Sequence, residues 1–137
     1  MPAQRLSQVR QRISGLYRIP FVRPCHLQGV AGRRDAKICD LSAAGVYIAL
    51  EPVPDVGEGF TISLALPGRE NPLTVDSVVT WRNALLDRRA LDLPPGCGLR
   101  FLGLSSQDLQ LIHRLVSSRV TSSPQLLGPT ATEADTG

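Results

Sequence analysis

The sequence predicts a mainly β protein, a small six-stranded antiparallel β-barrel closed by a C-terminal α-helix. Three observations carry this reading. Between residues 18 and 104 the apolar residues fall in short runs of strand length separated by Pro- and Gly-containing turns. After Leu104 the apolar period changes from two to that of a helix, with Leu109, Ile112, Leu115, Val116 and Val120 on one face. A chain of 137 residues that is 42% hydrophobic has room for one domain and a core that needs no disulfide or structural metal.

The elements follow in order. Phe21–Val30 alternates and ends at Gly29–Gly32 with Arg33, Arg34 and Asp35, a hairpin-like connection. Ala36–Leu41 leads into a turn at Ser42–Gly45, and Val46, Tyr47 and Ile48 favour a third strand. Pro52, Pro54, Gly57 and Gly59 mark a long loop. Phe60, Ile62, Leu64 and Leu66 alternate with Thr61, Ser63 and Ala65, as a half-buried strand requires. Leu73–Trp81 and Gly98–Leu104 complete the set, with Asn83–Gly96 a polar excursion between them. Ser105 and Asp108 read as a capping arrangement for the helix. Domain boundaries fall at residues 1–17 (a basic arm or short helix), 18–120 (barrel and helix) and 121–137. That last segment, rich in Ser, Thr, Pro and Gly, reads as a disordered tail.

Charge is unevenly placed. Residues 1–34 hold seven of the fourteen arginines and no acid, while all twelve acids come later. A basic, acid-free first quarter points to an anionic partner, and Arg binds phosphate and guanine edges in forked geometry. The same region reads secondarily as a mitochondrial presequence, although its basic run continues into the folded domain. Nucleic acid is not the expected partner, because aromatics are not interleaved with the bases. No apolar run approaches the roughly 18–20 residues of a membrane span, so no membrane insertion is expected. Cys25, Cys39 and Cys97 are odd in number and widely spaced, which fits buried thiols in a reducing cytosol; with His26 and His113 they match no zinc template. Phosphate-loop, dinucleotide, zinc-protease and nucleophile-elbow motifs are absent, so neither an enzyme nor a cofactor is expected. His26 and His113 read as packed or surface residues, Cys25 and Cys39 as small core residues, and Trp81 as a barrel-core or rim residue.

One constellation remains. Arg18 opens the Ile19-Pro20-Phe21 strand, and Asp40-Leu-Ser42-Ala-Ala-Gly45 joins the second and third strands. As a turn, Asp40 and Ser42 bond local backbone and Gly45 takes a conformation other residues avoid. As a ligand site, Asp40 accepts from a guanine N–H edge, Ser42 bonds phosphate or base, and a facing Arg takes phosphate or the guanine O6/N7 edge. The D-x-S-x-x-G turn before Val46-Tyr47-Ile48, the Arg-Ile-Pro-Phe opening, Trp81, Gly98-Leu-Arg-Phe101 and the closing helix together resemble the PilZ domain family. That resemblance implies binding of the second messenger cyclic di-GMP by Arg18, Asp40, Ser42 and Gly45. It also implies an adaptor that relays the signal to a protein of the motility, pilus or envelope machinery. The family's Arg-x-x-x-Arg pair is incomplete: Ser14 stands four residues before Arg18, and Arg12 is the nearest substitute. Losing one charge-assisted contact costs about 1.5–3 kcal/mol, or ten- to a hundredfold in affinity. The alternative is a nucleotide-independent PilZ-like interaction module, in which the motif is only a turn.

Overall fold

Alternation decides which residues face inward, and the strands form where it holds. The computed structural model describes residues 10, 11 and 17–121, with side chains over 17–119. A two-residue β1 (Arg10–Gln11) precedes β2 (Tyr17–Gly29), β3 (Gly32–Leu41), β4 (Gly45–Ala49), β5 (Gly59–Leu64), β6 (Leu73–Asn83) and β7 (Gly96–Leu102), and α1 (Ser106–Thr121) follows. Strands β2-β3-β4-β7-β6-β5 are neighbours in that order, and β5 pairs back onto β2, which closes a six-stranded antiparallel barrel. Closure removes the free edges on which an open sheet would aggregate.

Phe60, Ile62 and Leu64 of β5, Leu73, Val75 and Val79 of β6, and Cys25 and Leu27 of β2 point into the core. Ile112 and Val116 of α1 join them, so the helix packs over the barrel through its apolar stripe. Leu109, counted in that stripe, is instead exposed, and Leu115 is only half-buried. Ser105 Oγ accepts from the Asp108 N–H (3.1 Å), which satisfies one orphan donor of the first turn. Asp108 also pairs with Arg69 of the β5–β6 loop, tying the helix start to the barrel.

Three register shifts interrupt the alternation, at Pro20–Arg23 in β2, Ile38–Asp40 in β3 and Val79–Trp81 in β6. Bulges re-aim side chains, and these shifts lie in the strands that carry Arg18, Asp40 and Trp81. Arg10 and Gln11 pair with Arg18 and Tyr17 as extended chain, so these two residues do not form the helix that was one reading of residues 1–17. The rest of that arm and the tail beyond Thr121 lie outside the described residues. No helix among the described residues is long and apolar enough to cross a membrane.

Cys25 and Cys97 are buried, and burial pushes both thiols up to about 12. Cys39, read from the sequence as a core residue, is only half-buried, because the β3 bulge turns it partly outward. We expect Cys25 and Cys97 to resist a disulfide reagent at pH 8 until denaturant is added, since the thiolate is the reacting form. Rapid labelling of all three thiols in the native protein would contradict this packing.

Candidate functional site

Arg18 and Asp40 are both buried at 7% exposure, and their side chains form an ion pair across β2 and β3. The pair follows from register. Ile19 faces Leu41 and Pro20 faces Asp40, so the start of β2 lies beside the end of β3. Two buried opposite charges hold one another in place, because either alone would be left uncompensated.

The turn that follows is built from the motif's other residues. Ser42 is fully buried, and its Oγ accepts from the N–H groups of Ala44 (3.2 Å) and Gly45 (3.3 Å). Ser42 N–H donates to the Gly45 carbonyl at 2.8 Å, and Phe101 N–H donates to the Ala44 carbonyl at 2.8 Å, which docks the turn against β7. Gly45 is required by closeness: a Cβ there would lie 1.9 Å from the Leu99 carbonyl oxygen. Ser42 and Gly45 therefore shape the turn, and Arg18 and Gly45 are the motif residues that line open space.

That space is a shallow cleft on the barrel flank, about 50 Å³, lined by Arg18, Ala44, Gly45, Thr80, Trp81 and three residues of β7, Gly98, Leu99 and Arg100. Asp40 stands behind Arg18 rather than in the lining. Arg100 is exposed, so the cleft has a guanidinium from each of β2 and β7. Such forks match phosphate oxygens or a guanine edge.

Sequence reasoning missed two of these residues. Trp81, read as core or rim, is half-buried and lies on the outer face over Gly98, where a Cβ would meet its Nε1 at 2.1 Å. Its ring also packs on Tyr47 at 5.2 Å between centroids. Arg100 sat unremarked inside the Gly98–Phe101 run. The signal for Trp81 was Gly98 itself, a small residue opposite a large flat one in adjacent strands. Arg12 and Ser14 lie outside the described residues.

The other candidates separate from the cleft. His26 is exposed and bonds Asp35 through Nδ1 at 2.8 Å, and that bond, with Arg33 beside it, holds the Asp35 carboxyl below its ordinary value. His113 is exposed on α1. No group of His, Cys, Asp and Glu that could hold a metal ion occurs among the described residues.

Fold and cleft together define a small helix-capped β-barrel module with an arginine-edged surface cleft. The family model for the PilZ domain matches residues 5–118, and the chain belongs to that family. Solved structures agree on the fold. The Bacillus subtilis inhibitor of motility MotI/DgrA superposes with a TM-score of 0.62 at 17% identity, covering 82% of this chain and 52% of its own. Escherichia coli YcgR, solved in complex with c-di-GMP, gives 0.62 at 18% identity, covering 80% of this chain and 47% of its own. The PilZ domain of YcgR with c-di-GMP gives 0.57 at 17% identity, covering 84% of this chain and 99% of its own. The chain thus spans about half the length of MotI and of intact YcgR. No curated protein matches it by sequence.

Proposed function

We propose that this chain is a cyclic di-GMP receptor of the PilZ type, which relays the messenger to a protein of the motility, pilus or envelope machinery in the cytoplasm. The observation that carries the reading is Arg18, held at the cleft by Asp40 and set in one lining with Trp81 and Arg100. Family membership and the c-di-GMP complex of YcgR support the choice of ligand.

Each residue has a distinct task. Arg18 offers a fork of donors to a phosphate or to guanine O6 and N7. Asp40 orients that fork from behind, and would accept from a guanine N–H edge only if the ligand displaced Arg18 from it. Ser42 and Gly45 keep the turn close to β7, so backbone rather than side chain borders the ligand. Trp81 supplies an aromatic surface for a base.

The cleft is well below the roughly 300–1,000 Å³ that encloses a drug-sized ligand, so the barrel alone covers one edge of the dinucleotide. On this reading residues 5–18 supply the rest. Arg10 and Gln11 pair with Arg18 and Tyr17 at the start of β2. Ligand binding orders this arm over the barrel and changes the surface a partner meets.

Trp81 is the only tryptophan, so its fluorescence reports the cleft directly. Cyclic di-GMP is expected to change that emission saturably and GTP to leave it unaltered; an unchanged spectrum at full saturation by another probe would remove Trp81 from the site. Ser14→Arg restores the missing member of the arginine pair and is expected to tighten binding about tenfold. Unchanged affinity would assign the first arginine's work to another residue.

A second reading is favoured by a specific observation. The turn bonds of Ser42 and the Leu99 contact of Gly45 account for both residues without a ligand. On that reading the chain is a nucleotide-independent interaction module, and Ser14→Arg changes nothing.

A further inference from the structure

Three connections leave the barrel at one end: the β2–β3 turn, the β4–β5 loop and the β6–β7 excursion. Antiparallel register requires this, since Asn83 pairs with Gly96, Ala49 with Gly96, and Gln28 with Thr61. Five exposed aliphatic side chains sit on them. Val30 tips the turn, Val56 lies in the loop at 60% exposure, and the excursion carries Leu85 (59%), Leu86 (97%) and Leu91 (80%).

The excursion is not a loose loop. Asn83 is fully buried, and its Oδ1 accepts from the N–H groups of Arg89 (2.7 Å) and Ala90 (2.9 Å). Its Nδ2 donates to Tyr47 Oη (3.1 Å) and to the Ala90 carbonyl (2.9 Å). Arg88 donates to the Leu91 and Leu93 carbonyls, and Asp87 N–H donates to the Ala84 carbonyl across a turn with Leu85 and Leu86 at its apex. Ordered backbone that holds three leucines in water marks a contact surface rather than a failed core.

Charge at this end selects the occupant. Three arginines turn inward onto carbonyls. Arg34 donates to Pro52, Arg82 to Val53 and Pro54, and Arg88 to its own loop. Arg89 of the excursion and Arg33 of β3 are exposed, Arg33 bonding Asp35, but the exposed acids outnumber them: Glu51, Asp55 and Glu58 in the loop, and Asp87 and Asp92 in the excursion. A chain that is basic overall thus presents an aliphatic end rimmed by carboxylates. Carboxylates repel an anionic lipid surface, and they repel the same acidic end of a second copy.

We infer that this end of the barrel docks a partner protein through a basic amphipathic helix. Its apolar stripe seats on Leu85, Leu86 and Leu91, and its flanking Lys or Arg residues meet Glu51, Asp55, Glu58 and Asp87. The inference stands independently of the ligand at the Arg18 cleft.

The test is a fluorescence-anisotropy titration of the full chain into two labelled helical peptides, one of Leu and Lys and one of Leu and Glu in the same pattern. The Leu/Lys peptide is expected to bind at least about tenfold more tightly, against the chain's net positive charge. The L85S/L86S double variant is expected to lose at least about tenfold of that affinity. Its melting temperature should hold, since both side chains are exposed. Equal binding of the two peptides, binding of neither, or full affinity in a folded L85S/L86S protein would overturn the inference. So would sedimentation of the wild type as a dimer that L85S/L86S dissolves, which would give the surface to a second copy. Preferential binding to anionic vesicles would likewise give it to a membrane.

Discussion

Replacing Arg18 by alanine is expected to lower cyclic di-GMP affinity about ten- to a hundredfold and, at the same time, to destabilise the barrel. The two effects have separate causes. Affinity falls because the cleft loses the fork that β2 contributes, and loss of charge-assisted hydrogen bonds costs about 1.5–3 kcal/mol. Stability falls because Asp40, 7% exposed, is left as a buried charge without its partner. Breaking such a pair typically costs about 3–5 kcal/mol, which for a domain near this size lowers the melting temperature by about 10 °C or more. The R18A/D40A double variant separates the causes. With both charges gone the barrel should recover much of its melting temperature, because no unpaired ion remains, yet the ligand should still fail to bind. A double variant as unstable as R18A would show that the pair is not what holds the strand ends together. One that bound normally would remove both residues from the site.

Gly45→Ala is the second large effect. The added Cβ would meet backbone on β7, the Leu99 carbonyl at 1.9 Å and its carbon at 2.9 Å, and neither is a flexible side-chain tip. Relief requires the β4–β7 pair to separate where Gly45 faces Arg100. Overpacking usually costs about 1–3 kcal/mol; a backbone collision inside a ladder belongs at or above the upper end. We expect a fall of about 10 °C or more in melting temperature, with cyclic di-GMP binding weakened as the turn shifts. Thermal melts of the ligand-free protein give the first number directly. A variant that melts with the wild type would mean that the turn relaxes freely, and its glycine would then owe its place to the ligand.

The barrel was legible in the sequence where alternation was clean. Phe60, Ile62 and Leu64 announce β5 by period alone, and Ser105 with Asp108 marks where α1 begins. Alternation cannot foresee a bulge, however, and the readings slipped where bulges fall. The shift between Ile38 and Asp40 turns Cys39 partly outward. The shift between Val79 and Trp81 decides between the core and rim readings of Trp81, placing its ring at the cleft. Tyr47 shows the converse. It is fully buried on a strand whose inward residues are Val46 and Ile48, because the 84–95 excursion folds over it and Pro94 accepts its hydroxyl at 2.6 Å. A long-range cover of that kind leaves no local trace. At the candidate site, the family resemblance pointed to Arg18 and the Asp40–Gly45 turn, but nothing in the spacing showed that Arg18 and Asp40 pair with one another or that Arg100 lines the same cleft from β7.

The most direct test of the central claim is a calorimetric titration of cyclic di-GMP into the purified chain, with GTP as control. The account predicts saturable binding, low-micromolar or tighter, for the cyclic dinucleotide and none for GTP. Absence of heat together with an unshifted melting temperature at high ligand concentration would contradict it, and would leave the Arg18–Asp40 pair and the Ser42 turn as structure kept for protein contacts.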